Sequence, residues 1–94
     1  MNFSMLRIQI SKKAQKFLSK LPAKQKNQIA IKIQLLRKCG HCPDSIQLKG
    51  SVWYRVDVGE YRIIYDIEAD DLLVIPLVGK RNDGEVYKRL SRLK

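Results

Sequence analysis

Residues Trp53–Ile67, WYRVDVGEYRIIYDI, decide the architecture. Apolar and polar side chains alternate through two short runs separated by Gly59 and Glu60, and a period of two marks a strand with one buried face. Val52, Tyr54, Val56 and Val58 share one face of the first run, and Tyr61, Ile63, Tyr65 and Ile67 share one face of the second. With Gly59-Glu60 as a two-residue type II′ turn, Val58 faces Tyr61, Val56 faces Ile63 and Tyr54 faces Tyr65. A slip of one residue would scatter these pairs over both faces, so the pattern specifies the register. The other face then pairs Asp57 with Arg62 and Arg55 with Ile64. What that charged face meets has to be read from the rest of the chain.

Upstream, MLRIQI alternates Leu6, Ile8 and Ile10 with polar residues and reads as a half-buried strand. Ser11 suits an N-cap, and Ala14, Phe17, Leu18 and Leu21 follow at i, i+3, i+4 and i+7, the stripe of an amphipathic helix. Pro22 ends that helix and suits the start of a second, Ala23 to Lys38, whose stripe holds Ile29, Ile33 and Leu36. Lys12, Lys13, Lys16, Lys20, Lys24 and Lys26 lie mainly off the stripes, as on a solvated face. Downstream, a turn at EADD leads to LLVIPLV, a run expected to be covered on both faces. Pro76 conflicts with a central strand, which needs its N–H groups. In the tail, Asp83 suits a cap for a short helix with Val86, Leu90 and Leu93 on one side. The expected fold is α+β in the order β-α-α-β-β-β-α. It has a mostly antiparallel four-stranded sheet, a helical hairpin on one face and a short C-terminal helix, all in one domain over residues 1–94.

The 94 residues carry 19 Lys and Arg against 9 Asp and Glu, a net charge of +10 that points to anionic partners, nucleic acid or an acidic protein. No stretch approaches the ~20 apolar residues of a membrane span, and the opening MNFSMLRIQISKK lacks an apolar block of signal-peptide length. The expected compartment is the cytoplasm, with no membrane partner. Cys39 and Cys42 have the C-x-x-C spacing of redox motifs, but they follow a helix instead of opening one, so the helix dipole has the wrong sign to activate a thiol. The chain holds no further Cys and a single His, too few ligands for zinc. The expectation is an ordinary helix-end turn with Gly40 as the stop residue, and no metal or cofactor.

The segments QLKG, YRVDVGEYRIIYDI, VIPLVGKR and EVYKRL resemble the RelE branch of the RelE/ParE toxin superfamily, from about Met5 to Leu90. The resemblance implies a RelE-like sheet with two N-terminal helices, cleavage of mRNA in the ribosomal A site, and a co-encoded antitoxin. Operator DNA would be met only through the antitoxin complex. Residue by residue, it implies phosphate-binding or catalytic roles for Arg62, Arg81 and Arg55 and for Tyr87, the C-terminal tyrosine of the family pattern. Lys49 and Lys80 are weaker candidates for RNA backbone contacts. Asp57 departs from the pattern, standing where a second basic residue is usual. In metal-free cleavage the ribose 2′-OH attacks the neighbouring phosphate and the 5′-oxygen leaves, which needs a proton acceptor, a proton donor and positive charge for the developing dianion. A two-histidine mechanism is excluded by His41 being the only histidine, leaving Tyr87 for proton transfer once adjacent cations activate its phenol. A ParE-like DNA gyrase poison, and an inactive homologue kept for antitoxin binding and autoregulation, remain alternatives.

Overall fold

The computed structural model describes residues 5–81. In chain order they form β1 (Arg7–Ile10), α1 (Lys12–Ser19), α2 (Ala23–Cys39), β2 (Ile46–Gln47), β3 (Tyr54–Val58), β4 (Tyr61–Glu68) and β5 (Leu72–Lys80). The strands make one sheet in the order β1-β5-β4-β3-β2, with β1 parallel to β5 and the other pairs antiparallel. The α+β class, the helical hairpin and the mostly antiparallel sheet are as expected, but the sheet has five strands where four were expected. The added strand, β2, is two residues long and pairs Ile46 with Arg55 and Gln47 with Tyr54. It is too short to leave a periodic signal. The C-terminal helix expected around Val86, Leu90 and Leu93 lies outside the described residues.

The β3–β4 hairpin has the register its alternation dictates: Tyr54↔Tyr65, Arg55↔Ile64, Val56↔Ile63, Asp57↔Arg62 and Val58↔Tyr61. Gly59 takes φ +60° while Glu60 stays out of the left-handed region, the pattern of a type II′ turn.

Helix α1 starts where Ser11 Oγ accepts the N–H of Ala14 at 3.0 Å, and the same hydroxyl donates to the Pro76 carbonyl at 2.6 Å. One side chain thus caps the helix and ties it to β5. Helix α2 ends at Gly40 (φ +67°), whose N–H donates to the Leu36 carbonyl at 2.8 Å. The turn was expected to be plain; instead Cys39 and Cys42 are joined as a disulfide across it, with Cys42 buried in the core. Neither helix has an acidic residue in its first turn, and Lys12, Lys16 and Lys20 repeat at four-residue spacing. Such like-charge pairs oppose helix formation by about 0.2–0.5 kcal/mol each, so packing of the inner face has to hold α1.

That packing is one cluster of Ala14, Ile29, Ile33 and Leu36 from the helices against Val56, Ile63, Tyr65, Leu73, Ile75 and Val78 of the sheet. At about 1.5–3 kcal/mol per large buried side chain, it outweighs the lysine repulsion. Pro76 is buried in β5 without breaking the sheet. β1 pairs with β5 only as far as Ile10↔Ile75. On the other side the β4 register shifts between Ile64↔Leu77 and Asp66↔Val74, so Tyr65 stands opposite both Ile75 and Pro76. The proline occupies a β-bulge, where a missing N–H is tolerated.

The bulge also changes parity. Leu73 and Ile75 point into the helix-side core, and so does Val78, whereas Leu77 joins a second small cluster with Ile64, Leu48 and Trp53 on the opposite face. Beyond the bulge, odd-numbered residues of β5 therefore lie on the face the helices leave uncovered.

A Cβ added at Gly59 has as its nearest neighbour Gln28 Oε1 at 3.9 Å, so the site has room and only the positive φ opposes a side chain. Gly59→Ala should destabilise the domain by about 1 kcal/mol, read from urea unfolding midpoints.

Candidate functional site

Two cross-strand rows define the face that α1 and α2 leave uncovered. In the first, Arg55, Ile64 and Leu77 lie side by side on β3, β4 and β5, and Ile64 and Leu77 are sealed by Leu48 and Trp53. In the second, Asp57, Arg62 and Gly79 lie side by side, and Gly79 brings no side chain to the row. Just past β5, Arg81 donates its backbone N–H to the Glu60 carbonyl at 2.9 Å, fastening it to the hairpin turn. The parity change at Pro76 places Arg81 on this face and not among the helices.

The result is a convergence of guanidinium groups on one carboxylate. Arg62 Nε donates to Asp57 Oδ1 at 2.7 Å and Arg62 Nη2 to Oδ2 at 3.3 Å, a two-pronged side-on pair. Arg55 Nη1 stands 3.6 Å from Asp57 Oδ2, and Arg81 Nη1 stands 4.0 Å from the same oxygen. The Arg62 side chain is 12% exposed and the Arg81 side chain 49%, so the cluster grades from a fixed inner arginine to an outer one with room to move. The hydrogen bonds from Arg62, reinforced by the charges of Arg62, Arg55 and Arg81, hold the Asp57 carboxyl below its ordinary value against the opposing effect of burial. Asp57 is therefore ionised at neutral pH, the one carboxylate among three guanidinium groups.

Among the candidates read from the sequence, Arg55, Arg62 and Arg81 are brought together. Lys80 is not: it pairs with Tyr61, whose ring packs edge-on against Phe17 of α1 at 5.9 Å, so alternation turns Lys80 to the helix side. Lys49 is exposed on the loop between β2 and β3, towards the end of the face sealed by Leu48 and Trp53. Tyr87 lies outside the described residues. His41 is on the far side of the sheet, stacked on Tyr54 at 3.9 Å with Nδ1 3.1 Å from the Tyr65 hydroxyl, which donates to Ser45 Oγ at 2.7 Å. The central place of Asp57 was half legible: the register gave its bond to Arg62, but the approach of Arg81 depends on a bulge that no alternation pattern announces.

A sequence model of the ParE toxin of type II toxin–antitoxin systems, parDE, matches residues 8–84. The chain belongs to the RelE/ParE toxin superfamily. Within it, the fold is RelE-like. A double-arginine mutant of E. coli toxin RelE in the free state superposes with a TM-score of 0.80 at 20% identity, covering 96% of this chain and 99% of that one. The RelE–RelB complex from Pyrococcus horikoshii matches at 0.71 and 27% identity, covering 82% and 96%. The RelB–RelE antitoxin–toxin complex from Methanococcus jannaschii matches at 0.66 and 23%, covering 85% and 95%. No curated protein matches by sequence. No helix among the described residues of this toxin is long and apolar enough to cross a membrane.

Because the Asp57 carboxyl titrates lower in the folded toxin than in the unfolded chain, its stabilising contribution is complete above the ordinary Asp value of about 3.9 and is lost as pH falls through the folded value. Asp57→Asn should lower unfolding free energy at pH 7 by up to about 1 kcal/mol, with the gap closing on acidification below about pH 4. Urea melts from neutral to acid pH test this; a gap that stays constant would remove the ion-pair account.

Proposed function

We propose that this toxin is a ribosome-dependent endoribonuclease that cuts mRNA in the A site by metal-free attack of a ribose 2′-OH on the adjacent phosphate. The observation that carries the reading is the set of three arginines within 4.0 Å of a single carboxylate on the face that α1 and α2 do not cover. Guanidinium groups give permanently charged, planar, two-pronged contacts suited to phosphate oxygens. In this reading the scissile phosphate takes the seat of the Asp57 carboxylate. Arg62 and Arg81 hold the phosphate and offset the dianion that develops as the 2′-oxygen bonds to phosphorus and the 5′-oxygen departs, and Arg55 assists. Tyr87 is the group assigned to proton transfer. The Asp57 pair is partly exposed and worth about 0–1 kcal/mol net, so a polyanionic substrate is able to displace it.

The partner in this reading is a cognate antitoxin, as in the RelE–RelB complexes from P. horikoshii and M. jannaschii. An antitoxin laying acidic residues and an apolar segment across the arginine face would silence the site, and the complex should weaken as salt rises. The setting would be the cytoplasm. A second reading, a gyrase-binding toxin with no RNA chemistry, is favoured by the one feature that opposes the first: Asp57 fills the arginine cluster with a charge that repels phosphate.

Arg81→Ala and Tyr87→Phe should each abolish growth arrest and message cleavage while leaving the fold intact. Asp57→Lys should raise cleavage by removing the competing anion. Primer extension on a translated message, with and without the toxin, reads both effects. Growth arrest without discrete in-frame cuts would transfer the assignment to the gyrase reading, and full toxicity of both the Arg81 and Tyr87 variants would remove the nuclease mechanism.

A further inference from the structure

The turn after α2 holds chemistry that the arginine site does not use. Cys39 and Cys42 are joined across it at a sequence separation of 3. The two sulfurs differ in access: Cys39 is exposed at the helix end, whereas Cys42 is 8% exposed and packs in the core cluster. Cys39 Sγ lies 3.0 Å and Cys42 Sγ 3.9 Å from the Leu35 carbonyl oxygen, so the thiols of an opened bridge have an acceptor already in place. A bridge over so short a loop restricts the unfolded chain less than a long one does, so its value as a staple is small. In the cytoplasmic setting of the proposed function, disulfides are usually transient or redox-sensing.

Contacts that involve neither sulfur fix the turn from outside. His41, between the cysteines, stacks on Tyr54 at 3.9 Å and has Nδ1 3.1 Å from the Tyr65 hydroxyl. That hydroxyl donates to Ser45 Oγ at 2.7 Å, and the Ser45 N–H donates to the Cys42 carbonyl at 2.9 Å. Asp44 is ion-paired with Lys32 of α2 at 2.7 Å. These ties keep the two sulfurs within reach of each other when the bridge is open, which favours re-closure. The turn also leads directly into β2, whose Ile46 pairs with Arg55.

We infer that Cys39 and Cys42 are a redox-modification site, a dithiol–disulfide couple exchanged with low-molecular-weight thiols through Cys39, and that the bridge and the seat of His41 stabilise each other. The inference does not depend on the RNA-cleavage reading. In the opening direction an outside thiolate attacks Cys39 Sγ, the Cys39–Cys42 bond breaks, and Cys42 leaves as a thiolate that takes a proton from water. A second outside thiolate then attacks the added sulfur and releases Cys39, which is also protonated by solvent. Two outside thiols are thereby oxidised to one disulfide while the bridge is reduced to two thiols. The reverse sequence, with a low-molecular-weight disulfide as oxidant, closes the bridge. The turn lies at the C-terminal end of α2, where the dipole opposes a thiolate, so it is suited to being acted on and not to catalysing exchange in other proteins.

The test equilibrates the full chain, without oxygen, in buffers of varied reduced and oxidised glutathione, then quenches with acid and counts free thiols by the mass shift of a maleimide. Wild type should pass reversibly from two free thiols to none as the oxidised share rises, with far-UV circular dichroism showing the fold kept in both forms. A bridge that opens only when the chain unfolds is a structural staple and would overturn the inference, as would two free thiols at every ratio. Cys42→Ser should trap glutathione on Cys39, and Cys39→Ser should leave Cys42 unmodified in the folded chain; the opposite pattern overturns entry through Cys39. His41→Ala removes the stack, and Tyr65→Phe keeps the core ring while removing the hydroxyl that His41 meets. Each should shift the equilibrium constant towards the open form by at least about fivefold. A midpoint equal to wild type in folded Tyr65→Phe and His41→Ala would sink the coupling. Message cleavage by wild type with no redox transition defeats this inference alone; a reversible transition without cleavage defeats the nuclease reading alone.

Discussion

A single extra residue in β5 arranges the arginine face. Without the bulge at Ile75–Pro76, the alternation that buries Leu73 and Ile75 under the helices would carry on to residues 77, 79 and 81 and turn Arg81 into the helix layer. With it, Leu77 seals the far face, Gly79 leaves the row beside Arg62 without a side chain, and Arg81 emerges among the arginines. Proline fits this place because a bulged residue has no ladder N–H to lose, and its carbonyl accepts from Ser11 Oγ. That contact links the start of α1 to the point where the strand changes parity, so the helix cap and the site share one anchor.

Asp57 makes this site different from an open arginine cradle. A cluster of cations on a small domain repels itself, and an internal carboxylate offsets that repulsion in the folded toxin without a ligand. The same carboxylate competes with any incoming anion. Stability and occupancy are therefore set against one another by a single side chain, in the way functional sites commonly exchange stability for chemistry. The exposure gradient from Arg62 to Arg81 follows from it: the arginine bound most closely to Asp57 is the most buried, and the one at 4.0 Å is the most exposed.

Most of the fold was legible because alternation and helical stripes are dense signals. The β3–β4 register came from five cross-strand pairs that all have to agree, and Ser11 and Gly40 marked helix ends by their own chemistry. What escaped was set by tertiary context. β2 is two residues long and exists because β3 offers an edge to pair with. Pro76 could be recognised as a conflict but not resolved, since the resolution lies in how β4 pairs past it. Of the site, Arg55, Arg62 and Asp57 were readable from a period of two, whereas Arg81 and Lys80, neighbours in sequence, take opposite sides by alternation and the bulge upstream decides which side each takes. The C-x-x-C turn was read correctly as a helix end, but its closure as a disulfide depends on how the chain leaves Gly40.

The two cationic surfaces obey different physics. The arginine cluster is a short-range device: groups held within 4.0 Å of one point by backbone pairing, in partial burial where salt screens weakly. The lysines of α1 are exposed and spaced along an axis, so their field adds over distance but is largely screened beyond about 8–10 Å at cellular salt. The first arrangement discriminates geometry and the second accumulates charge. The half with the organised cluster, residues 44–94, is neutral overall, and the half that supplies the helices, residues 1–43, is purely cationic. α1, with eight residues and cations at the wrong end of its dipole, persists because the inner stripe of Ala14, Phe17 and Leu18 is held by the sheet, which leaves the outer stripe free to carry charge that an isolated helix could not sustain.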